Sequence, residues 1–185
     1  GPKFFADTTI NQDPDSERIA QIVGEVSKMV RKMNIQPRVA LLSYSTKGSA
    51  TQPSLMKVKA ATALAQQKAQ DTGFEADFDG ELQVDAALIP EIALRKLPDS
   101  KVAGKANVLI FPDLNSGNIA SKLIQHVARA NAYGQILLGL DRPAADLSRG
   151  SSSHDILGVA AIVGLQSIDY QQLYPGAGEN LPGDL

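Results

Sequence analysis

The sequence predicts an α/β fold, a three-layer αβα sandwich built on a mostly parallel sheet. Three observations predict it. Short apolar runs bounded by turn residues alternate with longer segments whose apolar residues recur at helical spacing. The strand-like runs are largely apolar throughout rather than alternating, which suits strands covered on both faces. Hydrophobic residues make up 43% of the 185 and charged residues 21%, enough apolar material for a real core.

The elements follow in order. A helix is expected from about Ser16 to Asn34, where Ile19, Ile22, Val23, Val26, Met29, Val30 and Met33 form one stripe. Ser16 suits its N-cap, and Glu17 suits the positive end of the helix dipole. Pro37 ends that helix and the apolar run Arg38 to Leu42 reads as a strand. The hydroxyl-rich segment 43–52 reads as a loop, and Pro53 opens a helix to about Asp71. Residues 75–79 form a short strand candidate, and 85–96 a helix interrupted at Pro90. Ala106 to Phe111 is the strongest strand signal. A helix is expected from Ser116 to Asn131 with Ile119, Leu123, Val127 and Ala130 on one stripe. A strand from Gly134 to Leu140 and a helix from Ser152 to Ile168 complete the alternation. One α/β domain over 3–170 is expected, then an irregular extension over 171–185 rich in glycine and proline.

Composition excludes several classes. The chain has no cysteine and two histidines, His126 and His154. This removes a disulfide scaffold, a thiolate metal site, a cysteine nucleophile and a multi-histidine metal site. A net charge of -2 lacks the basic footprint of a nucleic-acid or anionic-membrane binder. No window is long and apolar enough to span a membrane. No signal peptide is evident. Gly1-Pro2 reads as the remnant of a cleaved tag.

Loops at the carboxyl ends of parallel strands carry ligands in such folds, which directs attention to 43–52, 79–85, 112–118 and 141–151. Ser43 to Ser49 is dense in hydroxyls, suited to a phosphate or carboxylate or to an ordinary polar connection. In Phe111 to Asn118, Asp113, Asn115 and Ser116 are all possible helix caps, and Gly117 permits close approach of backbone to a ligand. The four carboxylates of Asp77 to Asp85 read as a solvated turn more readily than as a Mg²⁺ site. In Asp146 to Gly150, Arg149 offers a fork suited to phosphate, or is a surface charge. Asp155 sits in the first turn of the last helix, where carboxylates are routine. Ser148, His154 and Asp155 do not make a hydrolase triad, since no nucleophile-elbow pattern is present. His126 reads as structural or exposed. His154 draws more interest because it adjoins Asp155 and the Ser148-Arg149 loop.

Several of these loops also resemble one family in register. Asp79-Gly80-Glu81-Leu82-Gln83-Val84-Asp85-Ala86-Ala87-Leu88 is similar to a stretch of phosphate acetyltransferases. So are Pro37 to Thr46, Val102 to Val108, Phe111 to Asn118, and Asp146-Leu147-Ser148-Arg149-Gly150. The match runs from about Phe4 to Ile168 and covers the C-terminal half of the phosphate acetyl/butyryltransferase family. The resemblance implies a Rossmann-like sheet of isocitrate/isopropylmalate dehydrogenase-like topology, and a second domain facing this one across a cleft. It implies a cytoplasmic, homodimeric acyltransferase of acetate metabolism, moving acetyl reversibly between acetyl phosphate and coenzyme A. Coenzyme A is a substrate there, and no cofactor, metal, nucleic acid or membrane is implied.

Residue by residue, the resemblance makes Ser148, Arg149 and Asp155 catalytic. Asp155 is the base that takes the thiol proton, a role suited to a partly buried carboxylate with a raised pKa. Arg149 binds the phosphate oxygens and Ser148 the acetyl carbonyl or its oxyanion. Ser45, Thr46, Gly117, Asn118 and Gly150 are substrate-binding candidates. The chain is expected to be a truncated half that folds but has little activity, because its cleft has one wall. An alternative is the acetyl-CoA-binding regulatory C-terminal domain of a hybrid malic enzyme, which the opening Phe4 to Asn11 also resembles. The intact Ser148-Arg149-Gly150 weighs against it. A phosphate butyryltransferase, and a piece that only dimerises, are further readings.

Overall fold

The computed structural model describes residues 1–173, which fall into two compact units, 1–124 and 125 onward. The first unit carries a four-stranded, all-parallel sheet. Its strands are β1 (Phe4–Ala6), β2 (Arg38–Leu42), β3 (Asp77–Leu82) and β4 (Val108–Ile110), in the spatial order β1-β4-β2-β3. Val39, Ala40 and Leu41 pair with Val108, Leu109 and Ile110 on one side, and Val39 to Leu41 pair with Phe78 to Gly80 on the other.

Helices cover both faces. Alternation along the strands sends Val39, Leu41, Val108 and Ile110 to one face and Ala40, Leu42 and Leu109 to the other. The first face meets α1 (Ser16–Lys32) and α2 (Pro53–Thr72). Their buried residues, among them Ile19, Val23, Val30, Leu55 and Val58, lie at helical spacing. The second face packs Ala40, Leu42, Leu82, Leu109 and Phe111 with Ala87 and Val102, and with the partly buried Leu97 and Ala120. These come from α3 (Val84–Leu88), α4 (Pro90–Lys96) and its following loop, and α5 (Leu114–His126). The predicted α/β layering is therefore the observed one.

All four strands run the same way, so one edge of the sheet collects four carboxyl-end loops: 7–15, 43–52, Gln83 and 111–113. Gly80 lets α2 approach this edge. A Cβ there would lie 2.5 Å from Thr62 Oγ1 and 2.8 Å from Leu41 Cβ.

The second unit contains a small antiparallel pair, β5 (Ile136–Leu137) with β6 (Ala144–Ala145), followed by α6 (Ser153–Leu173). The expected strand over 134–140 thus shrinks to two residues and joins β6, not the parallel sheet.

Other boundaries moved for identifiable reasons. β1 was not expected, because three residues are too few to show a period. Asp15, not Ser16, caps α1, its Oδ1 accepting from the Arg18 amide at 2.7 Å. β3 runs on through Asp79-Gly80-Glu81, whose polarity hid it in the sequence. α5 ends at His126, and Ile119, Leu123 and Val127 stay exposed, while Gly117 and Ala120 face the sheet. α6 continues past the expected end at Ile168 and takes in residues 171–173 of the expected extension; 174–185 lie outside the described residues.

Candidate active site

The Ser148-Arg149-Gly150 motif forms an exposed turn in which the Ser151 amide donates to the Ser148 carbonyl at 2.9 Å. The turn has a fixed approach. Upstream, the Gln135 and Asp146 amides each donate to the other's carbonyl at 2.9 Å, closing the β5–β6 ladder. Downstream, a capping box starts α6. The Ser152 amide and hydroxyl donate to Asp155 Oδ2 at 2.8 Å each, and the Asp155 amide donates to Ser152 Oγ at 3.2 Å. Among the described residues no carboxylate pairs with Arg149. An unpaired guanidinium, four serine hydroxyls and a helix N-terminus thus sit within eight residues, a set that suits an oxyanion.

The Asp155 carboxyl departs from expectation. The Ser152 amide and hydroxyl, with His154 beside it, hold it below the usual carboxylate range. A raised value needs desolvation, and this side chain instead accepts two hydrogen bonds at an open helix end. It is ionised at neutral pH, but it is a weak base. His154 has its own partner: its Nε2 lies 2.6 Å from the Tyr133 hydroxyl. The Tyr133 ring lies across Gly158, where a Cβ would meet it at 2.2 Å.

The second group of candidates lies in the first unit, at the sheet's carboxyl edge. Ser45 is fully buried. Its hydroxyl donates to Glu81 Oε1 at 3.3 Å, accepts from the Ala50 amide at 3.1 Å, and lies 3.0 Å from the Ser49 hydroxyl. Thr46 Oγ1 accepts from the Gln83 amide at 2.9 Å and donates to Gln83 Oε1 at 3.2 Å. These hydroxyls fasten the loop to β3 and its end instead of facing an anion. Beside them, a cleft of about 340 Å³ is lined by Thr46, Lys47, Ser49, Gln83, Lys96 and Leu97. Its lysines are occupied, Lys47 with Asp79 at 2.5 Å and Lys96 with Gln83 at 3.1 Å.

Gly117 permits a close approach, but to backbone of this chain. A Cβ there would stand 2.1 Å from the Asp7 carbonyl oxygen. Next to it, Asn118 Nδ2 donates to the Thr8 carbonyl at 3.0 Å. Both residues therefore hold the loop after β1.

Two carboxylates organise this edge and were missed as individuals. Glu81, 1% exposed, accepts from the Gly48 amide at 2.7 Å, with Lys59 at 3.7 Å. Burial works against its charge, yet the Gly48 amide, its own amide, Lys59 and Ser45 hold it below the usual range. Asp7 accepts from the Thr9, Ile10 and Asn11 amides at 2.6, 3.0 and 2.7 Å. Burial raises the Asp7 carboxyl, and these donors with the Asn11 side chain outweigh it. The signal for Glu81 was present in the Asp77 to Asp85 segment. Its carboxylates divide among separate partners: Asp79 with Lys47 and Ser100, Glu81 with Gly48, Asp85 with the Ala86 amide. Among the described residues no three such side chains are placed to share a metal ion. No described helix is long and apolar enough to cross a membrane.

A parallel sheet layered by helices, with its ligand-type loops on one edge, defines an α/β protein of the three-layer class. The chain belongs to the phosphate acetyl/butaryl transferase family, whose model matches residues 1–164. It is 50% identical over 168 residues to a phosphate acetyltransferase of Acetivibrio thermocellus, covering 90% of this chain and 49% of that protein. Its fold is similar to a phosphotransacetylase from Staphylococcus aureus, with a TM-score of 0.84 and 43% identity over 90% of this chain and 51% of the other. A phosphotransacetylase from Streptococcus pyogenes matches with a TM-score of 0.80 at 46% identity over 89% of this chain and 49% of the other. The chain spans about half the length of the curated relatives it matches.

Proposed function

We propose that this chain carries the acyl-transfer turn of a phosphate acetyltransferase, which moves acetyl between phosphate and coenzyme A. The observation that carries the reading is the Arg149 guanidinium, exposed and, among the described residues, unpaired, at a turn that leads directly into a helix N-terminus. In this reading Arg149 binds the phosphate of acetyl phosphate and offsets charge as that phosphate leaves. Ser148 donates to the acetyl oxygen, and Gly150, next in the turn, lines the same substrate position. The CoA thiol is mostly protonated at neutral pH and must lose its proton to attack. The first turn of α6 carries two acceptors for that proton, Asp155 and His154.

Ser45, Thr46, Gly117 and Asn118 fix the loops of the sheet's carboxyl edge within the first unit. The part of the relatives' length that this chain does not span would supply the opposite wall. Ile156, Leu157, Leu165 and Ile168 of α6 are exposed in the single chain, which supports packing against a second copy in a homodimer. A cytoplasmic location belongs to the same reading. The named relatives are phosphate acetyltransferases, which favours transfer over a purely regulatory acetyl-CoA module.

The test is acetyl phosphate-dependent loss of free CoA thiol, run with the chain and with Arg149→Ala. Slow turnover that the variant loses is expected. Because Arg149 is exposed and pairs with no other described residue, the variant should keep its stability within about 0.5 kcal/mol. Equal turnover by both proteins would overturn the reading.

A further inference from the structure

We propose that the cleft at the carboxyl ends of β2 and β3 binds a phosphate group of the transfer substrates, through the Lys96 ammonium and the Gln83 side-chain amide. This rests on the acyl-transfer reading for the choice of ligand and deepens it, by giving the first unit a binding role of its own. Three observations carry it. The first is position. The chain leaves β2 for α2 on one face of the sheet and leaves β3 for α3 on the other, and parallel sheets hold ligands where neighbouring strands part in this way. The second is charge. The cleft of about 340 Å³ has Lys47 and Lys96 in its wall and, among the described residues, no carboxylate. The larger cleft of this edge, about 530 Å³, has the opposite character. Asp13, Asp15 and Asp113 line it with one lysine, Lys57, whose ammonium pairs with Asp13 at 2.6 Å. A phosphate is repelled there and attracted at the smaller cleft.

The third is the state of the donors. Lys47 is committed, to Asp79 Oδ1 at 2.5 Å and the Gly80 carbonyl at 2.8 Å, so it adds charge to the wall but no contact. Lys96 is held loosely. Its nearer partner is a neutral acceptor, Gln83 Oε1 at 3.1 Å, and Asp85 Oδ2 stands 3.5 Å away with both side chains about two-fifths exposed. An ion pair that long and that wet contributes little, so turning the ammonium to a phosphate loses little. The charge-assisted bond to phosphate is the stronger one. Gln83 is fixed in orientation. Lysine can only donate, so the amide oxygen faces Lys96, where it also accepts from the Thr46 hydroxyl at 3.2 Å. The Nε2 end has no protein partner among the described residues and supplies two further donors. The rim is set before a ligand arrives. Glu81 accepts from the Gly48 amide at 2.7 Å, and Ser49 Oγ accepts from the Thr46 amide at 3.0 Å. A held rim lowers the entropy cost of binding. Leu97 gives the wall an apolar side for the carbon skeleton of a phosphate ester. Acetyl phosphate and CoA both carry the phosphate group, and the test separates them.

The experiment is an NMR titration of the backbone and side-chain amides in the full 185-residue chain, with inorganic phosphate and with adenosine 3′,5′-bisphosphate. A saturable shift of the Gln83 side-chain amide and of the backbone amides of 47–50 is expected. If inorganic phosphate alone produces it, the cleft takes the phosphate of acetyl phosphate. If the bisphosphate is needed, the cleft takes the phosphates of CoA. Lys96→Gln should weaken the binding by about 10 to 10²-fold, and Lys96→Arg should keep it. Gln83→Glu, which puts a like charge in the wall, should abolish it with far-UV circular dichroism retained. Lys57→Gln in the larger cleft should leave it unchanged. Amides that respond to neither ligand, or equal affinity in Lys96→Gln, overturn this inference, and turnover lost in Arg149→Ala would still uphold the acyl-transfer reading. Amides that respond while Arg149→Ala turns over like the parent uphold the cleft and overturn that reading.

Discussion

Gly117→Ala separates helix propensity from packing, because the two predict opposite signs. Gly117 lies in α5, and alanine in a helix is favoured over glycine by roughly 0.5 to 1 kcal/mol. Packing says otherwise. The added Cβ would stand 2.1 Å from the Asp7 carbonyl oxygen, and raising that to an ordinary 3.4 Å requires a shift of 1.3 Å. Little at this point can give way. The neighbouring Ala6 carbonyl accepts from the Phe111 amide at 2.7 Å, Asn118 holds the Thr8 carbonyl, and the Asp7 carboxylate is held by three amides. Overpacking against such backbone costs about 3 kcal/mol, at the upper end of the usual range. Subtracting the propensity gain leaves a net loss of about 2 kcal/mol, or roughly 4 to 8 °C in Tm. Urea and thermal unfolding measure it. Gly24→Ala in α1 is the control, since a Cβ there meets nothing within 4 Å, and it should stabilise by about 0.5 kcal/mol or more. If Gly117→Ala were as stable as the parent while Gly24→Ala behaved as expected, the close approach to Asp7 would be refuted.

Glu81→Ala leaves the Gly48 amide and the Ser45 hydroxyl without their acceptor, at about 1 to 3 kcal/mol each, and denaturant unfolding should show a loss of at least about 2 kcal/mol. Glu81 and Asp7 also link stability to pH. Both carboxyls are lowered in the folded state, so their contribution is fully present at neutral pH and is lost as pH falls below the ordinary values of 4.5 and 3.8. In Glu81→Gln, the midpoint denaturant concentration should depend less on pH in that acid range. Gly158→Ala should push the Tyr133 ring from its seat and break the hydroxyl contact with His154. The readout is the Tyr133 to His154 nuclear Overhauser effect, which is expected to vanish while far-UV circular dichroism is retained.

Much of the fold was legible because its signals are local. β2 was placed at Arg38 to Leu42 because a five-residue apolar run sits behind Pro37, and α2 opened at Pro53 because proline is pre-set for a first helical turn. The interruption at Pro90 likewise appeared as two short helices. β3 was misplaced because Asp79, Gly80 and Glu81 look like a turn. They are in a strand because partners distant in sequence satisfy them: Lys47 for Asp79, Thr62 and Leu41 against Gly80, Gly48 for Glu81. Composition could not show that, since a buried carboxylate is tolerated only where its donors converge.

The sequence by itself determined the alternation of strands and helices, the α/β class, and the Ser148-Arg149-Gly150 motif with Asp155 at the helix start. Each depends on residues a few positions apart, where periodicity and capping act. Only the tertiary structure decided the roles of the other candidates. Ser45 and Thr46 turned inward to β3 and its end, and Gly117 and Asn118 closed on the loop after β1. His154 gained Tyr133 from across the hairpin. A side chain's chemistry depends on what stands within about 3 Å of it, and most of those neighbours are set by how the chain folds back.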